Sequence, residues 1–226
     1  VKGELDDVDF IREVCSFCIR GRMGGPICKY HVSEFVGLPP DCDVCTEVFI
    51  GESEKGEERR EVIRKLSAAL SVITSDPDFG KLVPEVRMNI AMCLKDAESY
   101  NEVAAIPGRI TVIGERPFAA SPPQFGASKH TADLLLTVRK SFPQVRSLLC
   151  TRYDEGIRRA AERSGLRVVF LRREGRSLLV EESLKGVKDP PDLLVDPGGW
   201  GVEPVAYVTG RDAIDVVEKA RMLIER

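Results

Sequence analysis

At 226 residues, 43% of them hydrophobic and 31% charged, the chain can bury the core of one substantial α/β domain plus a small appendage, which excludes wholesale disorder. Its formal net charge of −3 excludes a general attraction for nucleic acid or anionic membrane, while leaving room for a local basic phosphate site. No apolar run approaches the roughly 20 residues that span a bilayer, and the acidic opening VKGELDDVDF lacks the form of a secretory signal, so the sequence reads as cytoplasmic.

Residues 1–50 form a Cys-rich module with turn signals at Gly24-Gly25-Pro26 and Leu38-Pro39-Pro40. Five of the seven cysteines lie in it. The pairs Cys15-x2-Cys18 and Cys42-x2-Cys45 each place two thiolates where one turn can chelate an ion, and together they supply the four ligands of structural zinc. Cys28 and His31 replace one pair, support a second site, or only pack. An iron–sulfur cluster is the less favoured occupant, since the spacing matches no known cluster pattern. A metal would explain how about 50 residues with so few aliphatics could fold. The chain opens on Val1 rather than Met, as expected of a processed start or of a fragment with more sequence upstream.

The charged segment GESEKGEERR (51–60) reads as a linker running into a helix. From Glu57 to Thr74 the apolar residues Val62, Ile63, Leu66, Ala69, Leu70 and Ile73 recur at helical spacing, and Asp76-Pro77 stops the helix. A strand over 110–114 (ITVIG) precedes a Pro-rich loop. Next come a helix over 128–141, a strand over 145–151, a helix over 154–164 stopped by Gly165, and strands at 166–171, 192–196 and 205–210. A helix over 213–225 closes the chain. Strands alternating with helices give a layered α/β domain.

The most informative segment is PPQFGASKH (122–130), in which small residues lead straight into a helix. Helix N-termini carry unpaired N–H groups and partial positive charge, so they attract phosphate. Gly126 and Ala127 permit close backbone approach, Ser128 offers a hydroxyl, and Lys129 or His130 can neutralise charge. An N-capped helix with surface polar residues is the plainer alternative. Arg109, fixed by Pro107-Gly108 at a strand entry, can present its planar fork to a phosphate or carboxylate, or be an ordinary surface arginine. Arg152 and Asp154 open another helix, where Asp154 can equally serve as an N-cap. In DPGGWGVEP (196–204), Trp200 and Gly201 sit on a Gly-rich turn. There the indole could stack on a flat heterocycle or cover the core.

Taken in order, VPEVRMNI (83–90), IPGRI (106–110), FGASKH (125–130), RYDEGI (152–157), GGWGVEP (198–204) and TGRDAIDVVEKA (209–220) resemble the archaeal-type, or ThiN-type, thiamine-phosphate synthase family over residues 57–226. The resemblance implies a three-layer α/β/α domain with a mixed sheet, related to the class II aldolase (AraD-like) architecture. It implies a reaction that joins hydroxymethylpyrimidine diphosphate to a thiazole phosphate, releasing diphosphate and forming thiamine monophosphate, with Mg²⁺ if catalytic. The family's essential arginine falls on Arg109 and its essential histidine on His130. Gly126, Ala127, Ser128 and Lys129 would cradle phosphate, and Arg152, Asp154, Trp200 and Gly201 would contact the rest of the ligand. The interval 173–192 is shorter than is usual in the family's enzymes. That favours a thiamine-phosphate-sensing part of a transcriptional regulator, contacting DNA only through an upstream helix-turn-helix. Retention of Arg109 and His130 favours catalysis. Thiamine phosphate or its precursors are the expected partners, with a homodimer as a further expectation and no membrane.

Overall fold

The computed structural model describes residues 54–224, with side chains from 57 onward. The Cys-rich module and its ligand candidates lie outside the described residues. The chain divides between residues 61 and 62; the sheet and the cavities described below belong to residues 62–226. Helix α1 spans Glu54–Ser75, so most of the expected linker is helical. Val62, Leu66, Ala69 and Ile73, spaced by four, three and four residues, are fully buried, as the apolar period requires. Asp76 then caps a short 3₁₀ turn, accepting a 3.1 Å bond from the Asp78 N–H with Pro77 at the first position.

The strands follow as β1 (Asn89–Cys93), β2 (Val103–Ala105), β3 (Ile110–Ile113), β4 (Arg116–Ala119) and β5 (Gln124–Phe125), then helix α2 (Lys129–Ser141) and β6 (Ser147–Arg152). Helix α3 (Glu155–Arg163), β7 (Val168–Phe170), β8 (Arg172–Glu174), β9 (Ser177–Leu179) and the single turn α4 (Val180–Ser183) come next. β10 (Leu193–Asp196), β11 (Val205–Gly210) and α5 (Ala213–Met222) complete the domain. Seven strands form one mixed sheet in the order β5-β2-β1-β6-β11-β10-β7. All its pairings are antiparallel except β10 with β7. Strands β1, β10 and β11 are buried at every position, and β6 at all but its last, so both faces of the sheet are covered. A Cβ added to Gly210 would meet Asp215 and Val216, which puts α5 against that face. The residues that begin α2 share a cavity with Asn89, on the opposite face. Helix, sheet and helix thus make the three layers expected.

The register decides where chemistry can sit. Asn89 pairs with Cys150 and Cys150 with Tyr207, so these three side chains form a row across one face. Residues two apart along a strand share a face, so Arg152 and Asp196 emerge on the same face at the end of the sheet where β6 finishes. Two expectations change. ITVIG is a strand, but it pairs with β4 in a separate hairpin turned by Gly114 at φ +65°, and the expected Pro-rich loop supplies that partner. LRVVFL holds only a three-residue strand before the chain turns into the β8–β9 hairpin. Among the described residues no helix is long and apolar enough to cross a membrane.

Candidate functional site

A cavity of about 500 Å³ opens over Asn89, at the end of the sheet where β6 finishes and β11 begins. Its volume is within the range of small-molecule sites. Three chain segments wall it. Two are turns that face one another across an antiparallel bridge, in which Met88 and Ile110 exchange hydrogen bonds of 3.0 and 2.8 Å. The first turn runs Pro84-Glu85-Val86-Arg87 and closes with the Arg87 N–H on the Pro84 carbonyl at 2.9 Å. The second runs Ile106-Pro107-Gly108-Arg109 and closes with the Arg109 N–H on the Ile106 carbonyl at 3.2 Å. Pro107 presets the first corner and Gly108, at φ +73°, takes the left-handed one.

Each turn ends on a left-handed arginine, Arg87 at φ +70° and Arg109 at φ +67°. Among the described residues these are the only two non-glycine residues with positive φ, and both line this cavity. Such a conformation costs roughly 1–3 kcal/mol and persists where the surroundings over-determine it, often at functional sites. The surroundings are visible here. The Arg109 guanidinium donates to the Val86 carbonyl, tying one turn to the other. Asn89, almost fully buried, accepts from the Ile106 N–H at 3.0 Å and donates to the Ile106 carbonyl at 3.2 Å. Glu203, from the loop before β11, accepts from the backbone N–H groups of Glu85 and Val86 at 2.9 and 3.1 Å.

The third wall is Ala127–His130, where α2 begins. Gly126 holds φ +71° with its N–H on the Val103 carbonyl, and a Cβ there would crowd Asn101. The Ser128 side chain does not cap its helix; its hydroxyl bonds Thr131 at 2.9 Å instead. Helices α3 and α5 differ, being capped by Asp154 and Asp212. No side chain caps the first turn of α2, whose start lines the cavity.

The cavity's charge is positive. Arg87, Arg109 and Lys129 line it with His130, against one carboxylate, Glu85. Among the described residues no carboxylate pairs with Arg87, Arg109, Lys129 or His130. Below them burial pushes the Cys150 thiol up to about 12, with the Arg109 charge pulling the other way. Burial also raises the Tyr207 hydroxyl, helped by Cys150 and Asp196. Both groups are therefore neutral at pH 7, and neither lines the cavity.

Of the residues expected from sequence, the structure brings Arg109, Ala127, Ser128, Lys129 and His130 together, with Gly126 adjoining. Arg152, Asp154, Trp200 and Gly201 are not in the wall. Arg152 pairs with Asp154 at 2.8 Å, and Asp154 caps α3 by accepting from the Ile157 N–H at 2.9 Å, so its N-cap reading is the one seen. Trp200 is fully exposed and covers no core. Sequence reasoning missed Arg87, Asn89 and Glu203 as site residues. All three lie in the quoted motifs, but Arg87 stands out by backbone conformation, Asn89 by bonds to a residue 17 positions away and Glu203 by bonds across more than a hundred residues.

Residues 65–222 match the family model described as thiamine-phosphate synthase ThiN. A protein named thiamine-phosphate synthase ThiN, from Methanothermobacter thermautotrophicus, is 38% identical over 176 residues, covering 73% of this chain and 93% of its own. The bifunctional thiamine biosynthesis protein ThiDN of Methanocaldococcus jannaschii is 33% identical over 183 residues, covering 73% of this chain and 41% of its own. Among solved structures, the C-terminal domain of a phosphomethylpyrimidine kinase superposes with a TM-score of 0.67 at 31% identity, over 74% of this chain and all of that one.

Proposed function

Because the chain belongs to the thiamine-phosphate synthase ThiN family, we propose that it joins hydroxymethylpyrimidine diphosphate to a thiazole phosphate, releasing diphosphate and forming thiamine monophosphate. The observation that carries this reading is the juxtaposition of Arg109, Lys129, His130 and an uncapped helix start around one cavity. In the reaction the thiazole nitrogen donates its electron pair to the methylene carbon. The carbon–oxygen bond to diphosphate breaks, and its electrons pass to the leaving oxygen. Charge therefore grows on the diphosphate as the bond breaks, and cations already in place stabilise that state more than the ground state. Arg109, its fork oriented by the Val86 carbonyl, and Lys129 supply this charge. His130, one residue further along the first turn of α2, protonates or orients the leaving oxygen. Gly108, with open space where a Cβ would stand, lets a ligand reach the backbone.

Mg²⁺ has a weak claim on the protein's own side chains. Among the described residues no three His, Cys, Asp or Glu side chains converge, and Glu85 is the one carboxylate in the cavity wall. The steps above rest on the cations alone. We place the reaction in the cytoplasm. The relatives carry synthase and biosynthesis names, and the regulatory reading gains no support from them.

The test is synthesis itself. Purified protein given both substrates and Mg²⁺ forms thiamine monophosphate, and Arg109→Ala or His130→Ala lowers the rate by roughly 10²-fold or more. No product above background from folded protein would remove the proposal.

A further inference from the structure

The cavity is lined by a second arginine that the family resemblance did not single out, and a glutamate outside its wall bonds the turn that carries that arginine. We propose that Arg87 is an anion ligand of this cavity, paired with Arg109 across the Met88–Ile110 bridge, and that Glu203 is its positioning residue; this deepens the phosphate-binding part of the reading above and rests on it.

The two turns are alike in ways that packing alone does not require. Each is four residues long, closed by a bond from its fourth N–H to its first carbonyl. Each ends on an arginine with left-handed backbone, one residue before the bridge. Arginine has no intrinsic reason to accept that conformation, and glycine or asparagine would hold it at lower cost. Both arginines are exposed, so neither is held by burial. Arg109 at least donates to the Val86 carbonyl, whereas Arg87 has no carboxylate partner among the described residues. A guanidinium kept strained, unpaired and aimed at a cavity with Arg109 and a bare helix start is suited to a doubly charged phosphoryl group or a diphosphate.

Glu203 explains how the strain is maintained. Its two carboxylate oxygens accept from two successive backbone N–H groups, Glu85 and Val86, which are the central pair of the turn that delivers Arg87. The bond pattern needs a carboxylate, since a glutamine in its place would turn an N–H₂ toward one of those donors. Glu203 is itself fixed by its loop. Asp196, at the end of β10, accepts from the Gly198 N–H at 2.9 Å and pairs with Arg173 at 2.6 Å, with little of either side chain exposed. A Cβ on Gly198 would lie 2.5 Å from the Val202 carbonyl, so the loop closes in this shape only with glycine there.

The experiment uses the full chain and two probes, inorganic diphosphate and thiamine monophosphate, in calorimetric titrations with melting temperatures measured alongside. Arg87→Ala weakens diphosphate binding about tenfold or more, and Arg87→Lys, which keeps charge but loses the fork, recovers part of that. Glu203→Gln weakens the same binding by a factor of roughly three to ten at an unchanged melting temperature, and in the Arg87→Ala background it costs less than half of that factor. Diphosphate affinity in Arg87→Ala equal to wild type overturns the ligand role. A full multiplicative loss in the double variant overturns the positioning role. Wild-type protein that binds diphosphate but neither binds nor makes thiamine monophosphate removes the synthase reading and leaves this one standing; protein that binds neither probe removes both.

Discussion

Two cavities lie at opposite ends of the same strands and are lined by the same kinds of side chain. At one end, Arg87, Arg109 and Lys129 face open space with no carboxylate bonded to them among the described residues. At the other, around Gly210, a smaller cavity of about 300 Å³ is lined by Arg167, Arg211 and Lys219 together with Asp192 and Asp215. There every cation is engaged. Asp192 takes Arg167 at 3.0 Å and Lys219 at 2.9 Å, and Asp215 lies 3.5 Å from Arg211 and 3.8 Å from Lys219. Burial raises the Asp192 carboxyl, but the hydrogen bonds from Arg167 and Lys219 outweigh it and hold the group at about 2. The backbone differs too, since both left-handed arginines belong to the first cavity. Counting cations would not separate the two ends; asking which cations lack partners does. Satisfied charge holds the fold together, and unsatisfied charge, kept in place at a cost, waits for a ligand.

The sharpest way to break this contrast is to remove one charge from each end. Arg109→Ala lowers the rate of thiamine monophosphate synthesis by roughly 10²–10³-fold, the scale for losing one donor to developing negative charge. Its melting temperature moves little, because the exposed side chain makes one hydrogen bond and its backbone is strained. Asp192→Asn does the reverse. It leaves Arg167 without its carboxylate and Lys219 without its nearer one, and destabilises by about 2 kcal/mol, roughly 4–8 °C in melting temperature for a domain of this size, while synthesis at 25 °C is kept. Should both variants lose activity and stability alike, the two ends are not different in kind.

Acid sharpens the same point. The folded Asp192 carboxyl titrates at about 2 against an ordinary value of 3.8, so its contribution is present above pH 4 and lost as pH falls toward 2. Denaturation followed between pH 5 and 2 shows a loss of about 2 kcal/mol from this group in the wild type, and Asp192→Asn lacks that component. The smallest effect is expected from Gly108→Ala. Nothing lies within 4 Å of the added methyl, so the cost is the left-handed backbone alone, about 1 kcal/mol. A much larger loss in a melting curve would mean that the turn carries more than its conformation.

Much of this was legible in the sequence wherever the signal was local. The apolar period of α1, its stop at Asp76-Pro77, the cap Asp154 and the strand over 205–210 follow from spacing and turn chemistry, while the pairing of FGASKH with Arg109 came from the family resemblance. Strands β1 and β2 did not show. NIAMC is buried at every position and so lacks alternation, and VAA is too short and Ala-rich to signal a strand. Strand β4 hid behind Pro117, which is tolerated because a two-stranded hairpin has free edges on both sides. The charged RRE of β8 gave no apolar pattern at all. In the site, Arg109 was found because Pro-Gly precedes it, while Arg87 has only Glu85-Val86 before it and shows its left-handed backbone in the fold alone. Glu203 bonds a turn 117 and 118 residues away, a distance over which spacing carries no information.

The claim that the unpaired cations at one end of the sheet grip a phosphoryl group is tested most directly by titrating the protein with thiamine monophosphate and with unphosphorylated thiamine. The phosphorylated form binds at least tenfold more tightly, and the difference narrows several-fold in Arg109→Ala. Equal affinity for the two compounds, or a preference that Arg109→Ala leaves at full size, would contradict it.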